Sequence, residues 1–371
     1  MNAPTRINSA LDVRGQFPAI VGWHYLDSAA TAQKPQAVID AITQAYSRDY
    51  ATVHRGVYER SASMTASYEA ARAAASNLIG GKPNELIFTR GATEAINLVA
   101  RSLPKNGRNR VLVSQLEHHS NIVPWQLAGY ELDAVPLTAD GKIDLDVAEA
   151  MLTEEHRVVA FAHVSNVLGS VLDAKRAADI ARSKGALLLL DGCQAAPRMS
   201  VNVAEIGADF YAFSAHKLYG PTGIGCLWGR AQLLAQLPPW QGGGAMIEKV
   251  TFEETTFLDP PARFEAGTPH IVGAVGLHAA VDWTQKLTLD AIHANPVSPH
   301  RFGQIHRRRR HAKVRRSDLE IIADDSIGHL VIAPAADAMD ELIGDAEADE
   351  HCQHEPPRGE TKLIPPQPVA Q

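Results

Sequence analysis

The chain of 371 residues carries a formal charge of −7 and is 45% hydrophobic, which suffices for a full core and excludes a wholly disordered protein. The acidic balance argues against a general nucleic-acid binder. Three widely spaced cysteines, Cys193, Cys226 and Cys352, make neither a disulfide framework nor a paired-cysteine metal site and favour a reducing compartment. No secretory leader and no membrane-length apolar run is visible, so the expectation is a soluble, cytoplasmic protein.

From about residue 85 to 230, short apolar runs alternate with amphipathic stretches. Residues 86–88, 111–113, 158–162, 186–190 and 210–213 read as strands buried on both faces. Residues 173–184, "DAKRAADIARSK", place apolar residues at helical spacing with charges opposite. This alternation predicts a largely parallel sheet with helices on both sides. Residues 224–228 read as a return strand. Ligands of such sheets bind beyond the carboxyl ends of the strands, and there the chain carries "TRGATEAIN", "QLEHHSN", "HVSNVLG", "DGCQ" and "SAHKLYG". Near residue 292 the patterning changes, with Asn295-Pro296, Ser298-Pro299 and then "HRRRRHAKVRR"; the final stretch is rich in Pro, His and charge and reads as loosely packed. The basic run reads as a solvated face rather than a nucleic-acid site.

The strand ends specify a chemistry. Gly91-Ala92-Thr93 opens a helix whose backbone N–H groups, dipole and Thr93 hydroxyl suit a phosphate; the plainer reading is an N-cap by Thr93. Asp191 ends the most apolar strand, so its carboxylate needs a partner, such as a protonated ring nitrogen or the backbone of the next segment. Gln194 is placed to meet a ring substituent. Adjacent His118 and His119 lack a third metal ligand, and an imidazole lying on a flat ring suits His118 better. Lys217 sits on a tight connection between Ser214, His216 and a glycine-rich turn. A phosphate, a ring nitrogen, a ring face and a lysine that condenses with a carbonyl are together the requirements of pyridoxal 5′-phosphate.

Eight ordered motifs, "YLDSAATAQKP", "VHRGVYERS", "RGATEAINLVA", "EHHSNIVPWQ", "VSNVLGS", "DGCQAAPR", "SAHKLYGPTGIG" and "RFEAGTP", resemble the Suf-type cysteine desulfurases, class V aminotransferase-like pyridoxal-phosphate enzymes of fold type I. The resemblance implies a mostly parallel seven-stranded sheet flanked by helices. It implies an N-terminal arm over 1–16, a cofactor-binding large domain over 17–290, and a small domain over 291–371 that is altered, replaced or disordered. By the same resemblance Lys217 is the Schiff-base lysine, Asp191 the ring-nitrogen partner, His118 the stacking histidine and Gln194 the neighbour of the phenolic oxygen. Ala92, Thr93, Ser214 and His216 form the phosphate site, with Thr268 reaching it from a neighbouring subunit of a homodimer. Asn166 lies beside the substrate carboxylate, and Ala29 and Ala30 line the substrate pocket. The implied reaction converts L-cysteine to L-alanine and leaves persulfide sulfur for an acceptor protein in iron–sulfur cluster assembly.

The C-terminal part departs from the family. Its "R-x-G-H-H-C-x-Q-P" loop and the carboxylate-binding arginine beyond it are absent; Cys352, in "DEHCQHEPP", falls near the expected distance from Lys217 without the expected neighbours. The expectation is therefore a desulfurase impaired by this region. The alternatives are a cofactor-binding pseudo-desulfurase, or a selenocysteine lyase or amino-acid epimerase of the same fold.

Overall fold

The computed structural model describes residues 10–287, with side chains from residue 13, and the backbone of two further strands, Leu319–Asp324 and His329–Pro334. The chain divides into two units after His311, and each is described by itself.

The first unit is built on a seven-stranded sheet: β1 (Leu86–Thr89), β2 (Arg110–Ser114), β3 (Glu131–Val135), β4 (His156–Ala162), β5 (Leu187–Asp191), β6 (Phe210–Ser214) and β7 (Gly225–Gly229), in spatial order β1-β7-β6-β5-β4-β2-β3. The pairs β2–β3, β2–β4, β4–β5 and β5–β6 are parallel, whereas β7 runs antiparallel to both β6 and β1. Six strands therefore deliver their carboxyl ends to one edge, as expected. β7 is the predicted return strand, and it contributes its first residue, Gly225, to that edge.

Side chains alternate between two cores because successive strand residues face opposite sides. On β5, Leu188 and Leu190 enter one core and Leu189 the other; on β6, Tyr211 and Phe213 oppose Phe210 and Ala212. Each of these leucines, fully buried, contributes roughly 1.5–3 kcal/mol. The first core is covered by helices that include Glu59–Leu78, Ala174–Ser183 and Ile271–Lys286, and the second by Ala92–Ser102, Val123–Leu127 and Ala231–Gln236. The helix read from residues 173–184 is present with Asp173 as its cap, its carboxylate accepting from Arg176 N at 3.0 Å, an arrangement that stabilises a helix by about 1 kcal/mol.

Phe17 packs edge-on against Trp283 at 5.3 Å, and Tyr219 meets the same indole at 4.9 Å. This aromatic cluster ties the N-terminal segment to the connection after β6. In the second unit the two strands pair antiparallel, Leu319 opposite Pro334 and Asp324 opposite His329.

Candidate active site

Five strand ends meet at the carboxyl edge of the sheet. After β1, Gly91 precedes the helix Ala92–Ser102, and Ala92 N donates to Ser214 Oγ, at the end of β6, at 2.9 Å. Thr93 is exposed one position into the helix, so the cap is Gly91 and not Thr93. The N–H groups of Thr93 and Glu94 at this helix end have no acceptor among the described residues, as first-turn donors generally do not. The Glu94 carboxylate, which would repel an anion, is turned onto Arg90 at 2.9 Å. A side chain on Gly225 would meet Gly91 Cα at 2.6 Å, so glycine there lets β7 pass directly under the helix start.

Ser214 Oγ also lies 3.6 Å from Cys193 Sγ. With a backbone N–H and a thiol both directed at it, the hydroxyl keeps its own proton to donate outward. Beyond Ser214, the single 3-10 turn Ala215–Lys217 carries His216 and Lys217, both half-buried. The turn is closed by Gly220 N donating to Ala215 O at 2.9 Å. The Ala29–Ala32 loop lies against it: Ala32 N donates to His216 O at 2.9 Å, and Thr31 Oγ1 is 3.1 Å from His216 Nδ1. Burial, with the charges of Lys217 and Lys34 adding, holds the His216 pKa down to about 4. A neutral imidazole between two lysines beside an open helix N-terminus is a set of donors that lacks only an anion.

Asp191, buried at the end of β5, accepts from Cys193 N through Oδ1 at 2.9 Å. Besides this N–H, the only side-chain partner of the carboxylate among the described residues is the Cys193 thiol, a weak donor. The capping role considered from sequence is thus present and uses half of the carboxylate. Gln194, 5% exposed, donates from Nε2 to Ala29 O at 2.7 Å and accepts at Oε1 from Arg198 at 2.5 Å. His118, after β2, is half-buried; Ser120 N donates to its Nδ1 at 3.1 Å, which leaves the ring proton on Nε2. Asn166 follows β4 in a turn held by Ser165 Oγ, which accepts from Val167 N and Leu168 N at 3.1 Å.

The donor set fits pyridoxal phosphate: an anion cradle, a buried carboxylate met only by a backbone N–H and a weak thiol donor, and a half-buried amine after the neighbouring strand. Thr268 is exposed and lines a cavity of about 630 Å³ with Arg90, Glu94, Trp240 and Gly223; no hydrogen bond joins it to Ser214 or His216 among the described residues. Cys352 lies outside the described residues.

Four nearby residues went unassigned in the sequence. Glu117, 5% exposed, accepts from Ser114 Oγ at 2.6 Å, Asn121 Nδ2 at 2.7 Å and Ala162 N at 3.0 Å; burial, with the Asp191 charge adding, pushes its carboxyl up to about 7. Burial likewise raises the Cys193 thiol to about 12, and the Asp191 charge adds. Lys34 donates to His216 O at 3.3 Å. Arg198 follows Gln194 by one turn, a spacing that was the available signal.

The class-V aminotransferase family profile matches residues 24–300. The chain belongs to this family. Among curated relatives, a cysteine desulfurase of Dickeya dadantii is 45% identical over 80% of this chain and 75% of its own length. A probable cysteine desulfurase of Vibrio cholerae is 44% identical over 76% and 74%. Among solved structures, the Escherichia coli cysteine desulfurase CsdA superposes with a TM-score of 0.72 at 39% identity, over 77% of this chain and 74% of that one. The cysteine desulfurase of Thermococcus onnurineus does so with a TM-score of 0.73 at 36% identity, over 78% and 73%. The seven-stranded sheet is thus the fold of this class-V enzyme family. Among the described residues no helix is long and apolar enough to cross a membrane, and no cluster of potential metal ligands occurs.

Proposed function

We propose that the chain is a pyridoxal-phosphate-dependent cysteine desulfurase of the Suf type, which converts L-cysteine to L-alanine and passes persulfide sulfur to an acceptor for iron–sulfur cluster assembly. The observation that carries this reading is the convergence of Asp191, Ser214, His216 and Lys217 on one sheet edge in a chain 45% identical to a cysteine desulfurase. Bound there, the cofactor supplies an electron sink conjugated to the substrate α-carbon. Lys217 Nζ would hold the cofactor and supply a base for the substrate α-proton. The Asp191 carboxylate would favour a protonated ring nitrogen. Ala92, Thr93, Ser214 and His216 would hold the phosphate, and His118 would cover one ring face. Asn166 binds the substrate carboxylate, and Ala29 and Ala30 form the wall opposite Lys217. A thiolate then takes the substrate sulfur as persulfide; the carbon keeps the bonding electron pair and is protonated on the way to alanine. Residues 17–290 form the cofactor-binding domain in this reading, and the cytoplasm is its compartment.

The test has two arms. The purified protein is expected to show a visible band from lysine-bound cofactor that Lys217→Ala removes; a colourless protein after reconstitution refutes the cofactor reading. Alanine release from L-cysteine under reductant is expected, at a rate well below that of a relative with a complete C-terminal loop. Vigorous turnover abolished by Cys352→Ser refutes the expected impairment, and no release at all refutes the desulfurase reading.

A further inference from the structure

The segment after Asp191 coils on itself: Ala195 N and Ala196 N donate to Gly192 O at 3.0 and 2.9 Å, and Arg198 N to Ala195 O at 2.9 Å. This places the Arg198 guanidinium back over Gln194, where Nη1 donates to the Gln194 side-chain oxygen at 2.5 Å and to its backbone carbonyl at 2.9 Å. Burial depresses the Arg198 pKa, and no carboxylate pairs with it among the described residues. A half-buried cation without a counter-ion is costly, and here its close acceptors are one amide oxygen and one carbonyl.

The chemistry of the pair removes an ambiguity. A side-chain amide has a donor end and an acceptor end of nearly the same shape, whereas a guanidinium has donors only. Facing Arg198, Gln194 must present Oε1, and its NH2 must face the cleft. One of the two N–H bonds goes to Ala29 O at 2.7 Å, in the loop that walls the substrate pocket. The second has no acceptor among the described residues.

We propose that Arg198 is a positioning residue for the cofactor: by holding Oε1 it fixes the Gln194 amide with its second N–H aimed at the oxyanion of the cofactor ring, and it ties that donor to the Ala29 loop. This rests on the cofactor reading above. With Arg198 removed, the bond to Ala29 O alone restrains the amide, and its second N–H is no longer held on the ring oxyanion, so that donor is weakened or lost. The negative charge then left on the ring oxygen raises the proton affinity of the adjacent lysine-bound nitrogen.

The experiment is a pH titration of the visible band in the cofactor-loaded full-length protein. Arg198→Met is expected to move the midpoint upward by about one pH unit, the equivalent of one hydrogen bond to a charged group. Arg198→Lys, also a donor only, is expected to return most of that shift. Arg198→Ala, which leaves room for water, is the second neutral variant should the methionine protein not fold, and the same upward shift is expected. Thermal stability is followed in parallel, since a merely structural arginine would lower it and leave the midpoint unmoved. A loaded neutral variant with the wild-type midpoint overturns the role of Arg198. A wild type with no band overturns the cofactor reading and this inference together.

Discussion

Replacing Glu117 by glutamine should change how stability depends on pH. The carboxyl is 5% exposed, and its folded-state pKa is about 7 against an ordinary 4.5. The difference of 2.5 units corresponds to roughly 3 kcal/mol at about 1.36 kcal/mol per unit. A raised pKa means that the unfolded chain loses its proton first. The contribution is complete below pH 4.5, falls as pH rises, and is gone above pH 7. Between about pH 5 and pH 8 the wild type should lose roughly 2–3 kcal/mol through this group.

Glutamine cannot titrate, but it carries a different cost. Both ends of the native carboxyl accept: Oε1 from Ser114 Oγ and Ala162 N, Oε2 from Asn121 Nδ2. Asn121 cannot turn its oxygen inward without abandoning Trp125 Nε1, at 3.3 Å. One donor therefore faces the new NH2, at a cost of about 1–3 kcal/mol that does not vary with pH. Urea denaturation of the cofactor-free protein at several pH values separates the two effects. The stability advantage of wild type over Glu117→Gln should shrink by roughly 2–3 kcal/mol from about pH 5 to pH 8, while every other titrating group cancels in the difference. An advantage constant to within about 0.5 kcal/mol would refute the argument that this buried carboxyl holds its proton.

Glu265→Gln should destabilise the protein by about 3 kcal/mol, read by thermal or chemical denaturation. The Glu265 carboxylate takes Arg72 at 2.6 Å and Phe88 N at 2.7 Å, and Arg72 is 5% exposed; a loss under about 1 kcal/mol would show that Glu69 alone neutralises Arg72. Sedimentation should give a dimer, since Thr268 is exposed and makes no hydrogen bond to Ser214 or His216 of its own chain among the described residues, which leaves it available to a partner's phosphate site. A monomer that binds cofactor tightly would remove Thr268 from the site.

The central sheet was legible because β4, β5, β6 and β7 are continuous apolar runs covered on both faces. β3, "ELDAV", was not. It is an edge strand, largely open to solvent, with Glu131 and Asp133 paired to Arg110 of β2, so its strand character comes from its neighbour and not from its own pattern. The helix Glu59–Leu78 was equally hard to see. Its inward face includes the small residues Ser61, Ala71, Ala75 and Ser76 where it packs on the helix Ile271–Lys286, and small residues carry little hydrophobic contrast. In the site, residues that end strands announced themselves. Their buried or half-buried neighbours, Glu117 and Arg198, did not, since a partnered Glu or Arg in a loop reads as solvated until its burial is known.

The cysteines follow the same logic of burial. Cys193 lies between Asp191 and Gln194, with its sulfur 3.6 Å from Ser214 Oγ, so a thiol sits in the floor of the proposed cofactor site. A pKa of about 12 leaves about one thiolate in 10⁵ molecules at neutral pH. Cys226, fully buried in β7 opposite Phe88 and Phe213, is held protonated by burial as well. Burial thus disfavours the thiolate form of both cysteines. The charge on Asp191 that would keep the cofactor ring nitrogen protonated also helps to keep the Cys193 thiol protonated. Burial, with this carboxylate adding, would thus keep the nearest thiol protonated, so that a cysteine can stand beside a reactive aldehyde as a poor competing nucleophile.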